Sequence, residues 1–98
     1  MAVFIGILRA EFRLHGNESL KDKRRVALSL KQKVRNKFNV SVAETGSADS
    51  MDYLSLSIVS VCNEKQHLES RMAKCLNMIQ AACDEELIYD DIEIFGAD

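Results

Sequence analysis

An alternation of apolar and polar side chains along residues 3–14 most constrains how this chain can fold. Alternation with a period of two is typical of a β-strand with one buried face. The first face of this strand carries Phe4, Leu8, Ala10, Phe12 and Leu14. The second face is apolar at its start and charged at its end, with Val3, Ile5, Ile7, Arg9, Glu11 and Arg13. Such a strand needs a layer over its first face and a cover for the apolar start of its second face.

Two amphipathic helices are predicted where apolar residues recur every three or four positions. Ser19 opens the first helix in a capping-box arrangement with Asp22, and Asn39 ends it. Asn63 is predicted to cap the second helix, with Gln66 three residues later. The first apolar stripe is Leu20, Ala27, Leu30, Val34 and Phe38, and the second is Leu68, Met72, Cys75, Leu76, Ile79, Ala82 and Cys83.

Three further alternating segments, at residues 40–43, 53–61 and 87–95, predict strands and complete a β-α-β-β-α-β order. Short connections and right-handed crossovers turn this order into an α+β, ferredoxin-like sandwich. We therefore expect a four-stranded antiparallel sheet with both helices on one face. A chain of 98 residues leaves room for one such domain, spanning residues 1–98.

The sheet face opposite the helices is predicted to be half apolar and uncovered within one chain. Monomers seldom leave an apolar patch of roughly a few hundred Å² bare, and two-fold dimers are the commonest closed assemblies. The sequence therefore predicts a homodimer through this face. The alternatives are a monomer whose long first strand folds over the patch and a complex with another protein. The candidate interface residues are Val3, Ile5, Ile7, Tyr53, Val59 and Val61.

Charge is distributed very unevenly along the chain, whose net charge is −2. The segment 21–37 holds 8 of the 13 Lys and Arg residues against one acid, whereas residues 84–98 hold seven acids and no base. Such asymmetry favours binding to a partner or self-association. A solvated helix face is the alternative, and the pI near 5.7 argues against strong non-specific binding to nucleic acid. The candidate polyanion-binding residues are Lys21, Lys23, Arg24, Arg25, Lys31 and Arg35.

Lys23 differs from the other basic residues because its helical angle places it beside Leu20 and Ala27, at the edge of the core. We expect its aliphatic stem to pack while its ammonium reaches water or a carboxylate. Glu44, at the end of the second strand, is the predicted partner.

The sequence lacks the residue spacings that are typical of enzymes and metal sites. His15 and His67 stand alone, and Cys62, Cys75 and Cys83 follow no ligand spacing. No Gly-rich phosphate loop and no GxSxG motif occur. We therefore expect a protein that is not an enzyme and that carries no metal or cofactor. A weak cation site at Asp90, Asp91 and Glu93 and a nucleophilic Cys62 with His67 are the alternatives, and no further residue supports either.

The predicted location is the cytoplasm. The start of the chain has no basic segment or cleavage site of a signal peptide, and no stretch approaches the roughly 18 apolar residues of a membrane span. The odd number of cysteines fits reduced thiols that act as small hydrophobic residues.

Residues 3–8 also look like the first-strand signature of RNA-recognition motifs, with Ile7 in the place of Asn. The third strand lacks the basic, Gly- and aromatic-rich companion motif, and Phe4 is predicted to point inward. A base-stacking platform on the sheet is therefore not expected.

The strings SLKDKRR at 19–25 and FNVSVAE at 38–44 resemble the bacterial YlxP-like family, whose function is unknown. The resemblance covers essentially the whole chain and implies a ferredoxin-like fold. It implies no reaction, cofactor or catalytic residue. Members are often encoded near translation and ribosome-maturation genes, which implies a role linked to RNA or ribosomes. Residues 46–51 are small and polar where relatives often carry a bulky aromatic or charged segment.

Two functions are consistent with these features. The first is a non-enzymatic module that binds RNA or a ribosomal particle through the first helix, without evident DNA specificity. The second is a regulatory domain that binds a small molecule between the subunits of a homodimer. For the second, the loop at His15, Gly16 and Asn17 is the candidate ligand contact.

Overall fold

The predicted order of strands and helices is present in the computed structural model, which describes residues 1–15 and 19–97. In chain order, the strands and helices are β1 Val3–Arg13, α1 Leu20–Lys37, β2 Ser41–Gly46, β3 Tyr53–Cys62, α2 Lys65–Ala82 and β4 Glu86–Ala97. The predicted fold class is thus confirmed. The candidate ligand contacts Gly16 and Asn17 fall outside the residues that the structure describes.

The sheet has the strand order β2-β3-β1-β4, and every neighbouring pair is antiparallel. β1 is central, so Leu8 lies opposite Ile58 on one side and Ile92 on the other. Leu8, Phe12 and Leu54 are completely buried beneath the helices. Phe4 packs against this core, as the alternation predicts. One sheet face is therefore covered by α1 and α2, and the other is open.

Gly6 allows α2 to approach β1 closely. A Cβ atom at Gly6 would lie 3.0 Å from Met72 Cγ, 3.1 Å from Leu68 Cγ and 3.2 Å from Ile94 Cδ1. Those separations are tighter than ordinary van der Waals contact, and Leu68 and Met72 are completely buried. The absence of a side chain at Gly6 thus sets the distance between the helix and the centre of the sheet.

The two helices begin differently. Ser19 Oγ accepts from the Asp22 backbone N–H at 3.2 Å, so the predicted cap of α1 is confirmed. The predicted Asn63 cap of α2 is wrong, because the cap position is Glu64, whose carbonyl accepts from the Leu68 N–H at 3.1 Å. The Glu64 carboxylate contacts His67 Nδ1 at 2.6 Å and makes no side-chain capping bond.

A bulge interrupts β4 near its start. Glu11 lies opposite Tyr89 whereas Phe12 lies opposite Leu87, which leaves Ile88 as the extra residue. Leu87 packs against the core, while the side chain of Ile88 is exposed. From Tyr89 onward, odd-numbered residues of β4 therefore share the open face with odd-numbered residues of β1.

Candidate functional site

The outer surface of α1 carries a group of basic side chains. The buried positions Lys23, Ala27, Leu30 and Val34 fix the side of α1 that faces the sheet. The helical repeat of 3.6 residues then turns the intervening positions outward. We define the cationic face as the five predicted residues that reach this surface, of which Lys31 is half-buried and the others are exposed: Lys21, Arg24, Arg25, Lys31 and Arg35.

The charges of the cationic face are not neutralised by direct ion pairs among the described residues, although Arg25 lines a depression together with Asp84 and Glu85. Among residues 1–15 and 19–97, no carboxylate forms an ion pair with any of the five side chains. Leu28, which is 51% exposed, lies among them. The positions 21 and 25, and likewise 31 and 35, are one helical turn apart, where like charges destabilise a helix by about 0.2–0.5 kcal/mol per pair. A bound polyanion would remove that repulsion.

Lys23 does not belong to this surface, which corrects our inclusion of it among the polyanion-binding residues. Its side chain is buried, and its ammonium donates to the Ser50 carbonyl at 2.8 Å and to the Ser47 carbonyl. Glu44 Oε1 lies 3.1 Å from the same nitrogen. The predicted pairing of Lys23 with Glu44 is therefore confirmed. The ammonium has three N–H groups, and these three acceptors use all of them.

The contacts of Lys23 tie the connection between β2 and β3 to α1. Ser47, within this connection, adopts a φ of 54°, in the left-handed region that non-glycine residues seldom occupy. The Ser47 and Ser50 carbonyls converge on one ammonium, so the connection is fixed beside the first turn of α1. The backbone next to the cationic face is thus held by a buried ion pair.

The open sheet face is apolar only in one half. We define the apolar sheet patch as the residues Val3, Ile5, Ile7, Val59, Val61 and Phe95. The register places Ile5 opposite both Val61 and Phe95. Val61 is 55% exposed and Phe95 is 46% exposed. The sequence prediction missed Phe95, whose place on this face follows from the bulge in β4.

Tyr53 lies on the same face but not beside the apolar sheet patch, which corrects the predicted interface. It is opposite Arg13, at the far end of β1 from Ile5. Eight residues of strand at about 3.3 Å each separate those two positions of β1. The alternation predicts on which face of the sheet a residue lies, whereas the register between strands decides which residues lie beside it on that face.

A polar belt separates Tyr53 from the apolar sheet patch. Arg9 Nη1 lies 3.2 Å from Asp91 Oδ2 and 3.5 Å from Glu93 Oε2. Glu11 Oε2 accepts from Ser55 Oγ at 2.6 Å. Arg9 therefore engages two of the three acids considered for a cation site. Residues 1–15 and 19–97 contain no group of three His, Cys, Asp or Glu side chains placed to hold a metal ion.

Cys75 and Cys83 occupy buried positions that make their thiols unreactive. Burial raises the pKa of the Cys75 thiol to about 11, and burial is also the main cause that raises the pKa of Cys83. Cys62 Sγ lies 3.9 Å from Asn63 Oδ1, while His67 contacts Glu64. The described contacts thus give Cys62 no histidine partner. A thiol with a raised pKa is a poor nucleophile because the thiolate is the reactive form.

The helices of the described residues are not long and apolar enough to cross a membrane.

Comparison with known proteins shows some that are similar to this chain in sequence and others that are similar in fold. A family described as "Protein of unknown function (DUF503)" matches residues 5–92. The uncharacterized protein YlxP of Bacillus subtilis is 32% identical over 77 residues, which cover 79% of this chain and 84% of that protein.

Two solved structures share the fold at low sequence identity. A dimeric ferredoxin-like protein of unknown function from Bacteroides fragilis has a TM-score of 0.54 and 10% identity, with 94% of each chain covered. A dimeric ferredoxin-like protein of unknown function from Thermobifida fusca has a TM-score of 0.51 and 11% identity, with 95% of this chain and 92% of that chain covered.

Proposed function

The chain belongs to the DUF503 family of proteins of unknown function, and we propose that it is a small non-enzymatic module that binds RNA. The observation that carries this proposal is the cationic face, five basic side chains on one helix without a paired carboxylate among the described residues. Phosphate groups supply most of the sequence-independent affinity of nucleic acids for proteins. The proposed location is the cytoplasm, where ribosomal RNA is the most abundant polyanion of this kind.

The position of the acids supports an oriented contact. Asp91 and Glu93 lie on the open sheet face, on the opposite side of the sheet from α1. The chain has a net charge of −2, so α1, which holds 8 of its 13 basic residues, is the element expected to face a polyanion. Such a separation of charge orients association with an anionic surface, because the α1 side is attracted to that surface and the acids of the open sheet face are repelled by it.

The proposed RNA contact is tested by fluorescence anisotropy with a labelled single-stranded RNA of about 20 nucleotides at several salt concentrations. One phosphate contact for each of the five side chains of the cationic face predicts a slope of log K against log salt of about −3.5. The variant Arg24→Glu with Arg35→Glu is expected to weaken that slope by about 1.4, because two contacts are lost. A DNA strand of the same length measures whether the ribose hydroxyl contributes.

The matched control is Arg13→Glu with Lys65→Glu, which changes the net charge equally at exposed positions away from the cationic face. The control is expected to retain the wild-type slope within about 0.5. The absence of binding by the wild type at low salt contradicts the proposal. Equal weakening by both double variants also contradicts it, because net charge and not the cationic face would then determine affinity.

We also propose that the protein is a homodimer through the apolar sheet patch. Val59, Val61 and Phe95 are all more than one third exposed, and the Bacteroides and Thermobifida neighbours are described as dimeric. A two-fold contact between open sheet faces covers the apolar sheet patch of both copies. It leaves both copies of α1 on the outside of the assembly, so the dimer presents two cationic faces.

Sedimentation equilibrium tests this assembly. The wild type is expected at twice the chain mass of 11.0 kDa, and Ile5→Asp is expected to give a folded monomer, because a carboxylate inside an apolar interface is left without a partner. Arg13→Asp, on the same strand and face beyond the polar belt, is the control and is expected to remain dimeric. A wild type that sediments as a monomer refutes the dimer.

A further inference from the structure

A groove runs between α1 and α2 on the side of the helices that faces away from the sheet. Its central depression has a volume of about 850 Å³. The floor of this depression is apolar and is formed by Phe38 at the end of α1 and by Met78, Ala81 and Ala82 of α2. We call this feature the interhelical groove. Neither the proposed RNA contact nor the proposed dimer covers it.

The interhelical groove is elongated. A second depression of about 270 Å³ shares Phe38 and Lys74 with the first and continues along α2 to His67. From His67 to Ala82 the helix rises about 22 Å, at 1.5 Å per residue. That length matches about four turns of a ligand helix. A compact metabolite would leave most of such a channel empty.

The rims of the interhelical groove are basic. Lys33 and Lys37 lie one turn apart on α1, and Lys74 faces them from α2. All three side chains are exposed, and no carboxylate among residues 1–15 and 19–97 lines either depression. An apolar floor between basic rims complements a helix whose apolar stripe is flanked by Asp or Glu.

The floor is poorly suited to RNA bases. Single-stranded nucleic acid binds through bases that stack on aromatic rings. Two aromatic side chains of the described residues line the depressions, Phe38 and His67. The Phe38 ring is half-buried with Lys37 Nζ 5.9 Å from its centre, and the His67 ring contacts the Glu64 carboxylate at 2.6 Å. Methionine and alanine instead adapt to aliphatic side chains of a packed helix.

A second copy of this chain is also a poor occupant. Its run of acids at 84–93 lies mostly on β4, which is a strand. Within α2 the only acid is Glu69, and α1 has only Asp22. The chain therefore cannot offer an acidic amphipathic helix to its own groove.

We propose that the interhelical groove docks an acidic amphipathic helix of another protein. Lys33 lies two residues before Arg35, so the helical repeat turns the two side chains about 160° apart. The groove and the outer part of the cationic face thus point in different directions from α1. The protein can hold an acidic helix in the interhelical groove while the cationic face contacts RNA.

The probe is a fluorescein-labelled amphipathic peptide of about 16 residues, with Leu at helical spacing and Glu on both flanks. A peptide of the same composition with scrambled order is the ligand control. Ala81→Glu places a bulky acid on the exposed floor and is expected to weaken binding at least about tenfold. Ala73→Glu is the matched control, because Ala73 is exposed on the same helix and lines neither depression.

A second pair of variants tests the rim. Lys74→Glu is expected to weaken binding of the peptide and reduce its salt dependence, whereas Lys65→Glu at the start of α2 is expected to change neither. Amide chemical shifts of the ¹⁵N-labelled protein are expected to change at residues 77–82 on addition of the peptide. RNA binding is expected to be unchanged by Ala81→Glu, which separates this proposal from the proposed function.

Three results overturn the proposed helix dock. The first is equal affinity of the protein for the scrambled peptide. The second is an unchanged affinity of Ala81→Glu for the amphipathic peptide. The third is displacement of the peptide by the single-stranded RNA, which would assign the groove to nucleic acid.

Discussion

Replacing Lys23 by methionine measures how strongly the buried ammonium stabilises the fold. Methionine keeps most of the aliphatic stem but removes the charge and all three donors. The substitution leaves the Ser47 and Ser50 carbonyls without this donor and the Glu44 carboxylate without its cation. The perturbation therefore isolates the polar contacts of Lys23 from its packing.

The expected loss follows from these contacts. Breaking a buried ion pair by removing one partner costs about 3–5 kcal/mol. The side chain of Glu44 is 21% exposed, so water reaches the abandoned carboxylate and favours the lower end of that range. A loss of about 3 kcal/mol lowers the Tm of a domain of this size by about 15 °C.

Urea unfolding followed by circular dichroism measures this loss. Arg24→Met is the matched control, because Arg24 is exposed on the same helix and its replacement is expected to change stability by about 0.5 kcal/mol or less. Glu44→Gln keeps an acceptor near the ammonium and is expected to cost about 1–2 kcal/mol. A loss below about 1 kcal/mol for Lys23→Met would refute the reasoning, since it would mean that water replaces the three contacts without cost.

Two further predictions concern the interior. Gly6→Ala is expected to destabilise the protein by about 1–3 kcal/mol in the same assay, because its Cβ would press on Met72; a stabilised variant would show that α2 moves away freely. The raised pKa of Cys75, from 9.0 to about 11, makes the folded state hold its thiol proton more tightly than the unfolded state. The contribution of Cys75 to the free energy of unfolding is therefore fully present below about pH 9, and it is lost as the pH rises toward 11. Cys75→Ala is expected to show a shallower decline over that window, and equal slopes would contradict this assignment.

Local patterns predicted most of the fold. Alternation in residues 3–14 assigned β1 and both of its faces. The helical angle of Lys23 placed it at the edge of the core, and Glu44 at the end of a neighbouring strand was the carboxylate within reach. Such predictions hold because side-chain direction depends on the helix or strand itself.

Features that depend on register or on the distance between elements were not predicted. Tyr53 shares a face with Ile5 but lies at the other end of it, since strand pairing and not alternation sets that position. Phe95 joined the apolar sheet patch only because a bulge at Ile88 shifts β4. The interhelical groove depends on how far α1 and α2 lie apart, and no spacing of residues within either helix encodes that distance.

The pairing of β1 with β4 has a consequence for synthesis of the chain. Val3 lies opposite Ala97, so the first strand to be made acquires one of its two neighbours only when the last has been translated. Until then one edge of β1 keeps unpaired backbone donors and acceptors, a template for contacts with other strands. The nascent chain therefore exposes the edge of its central strand for longest, and completion of the sheet waits for a contact that spans almost the whole sequence.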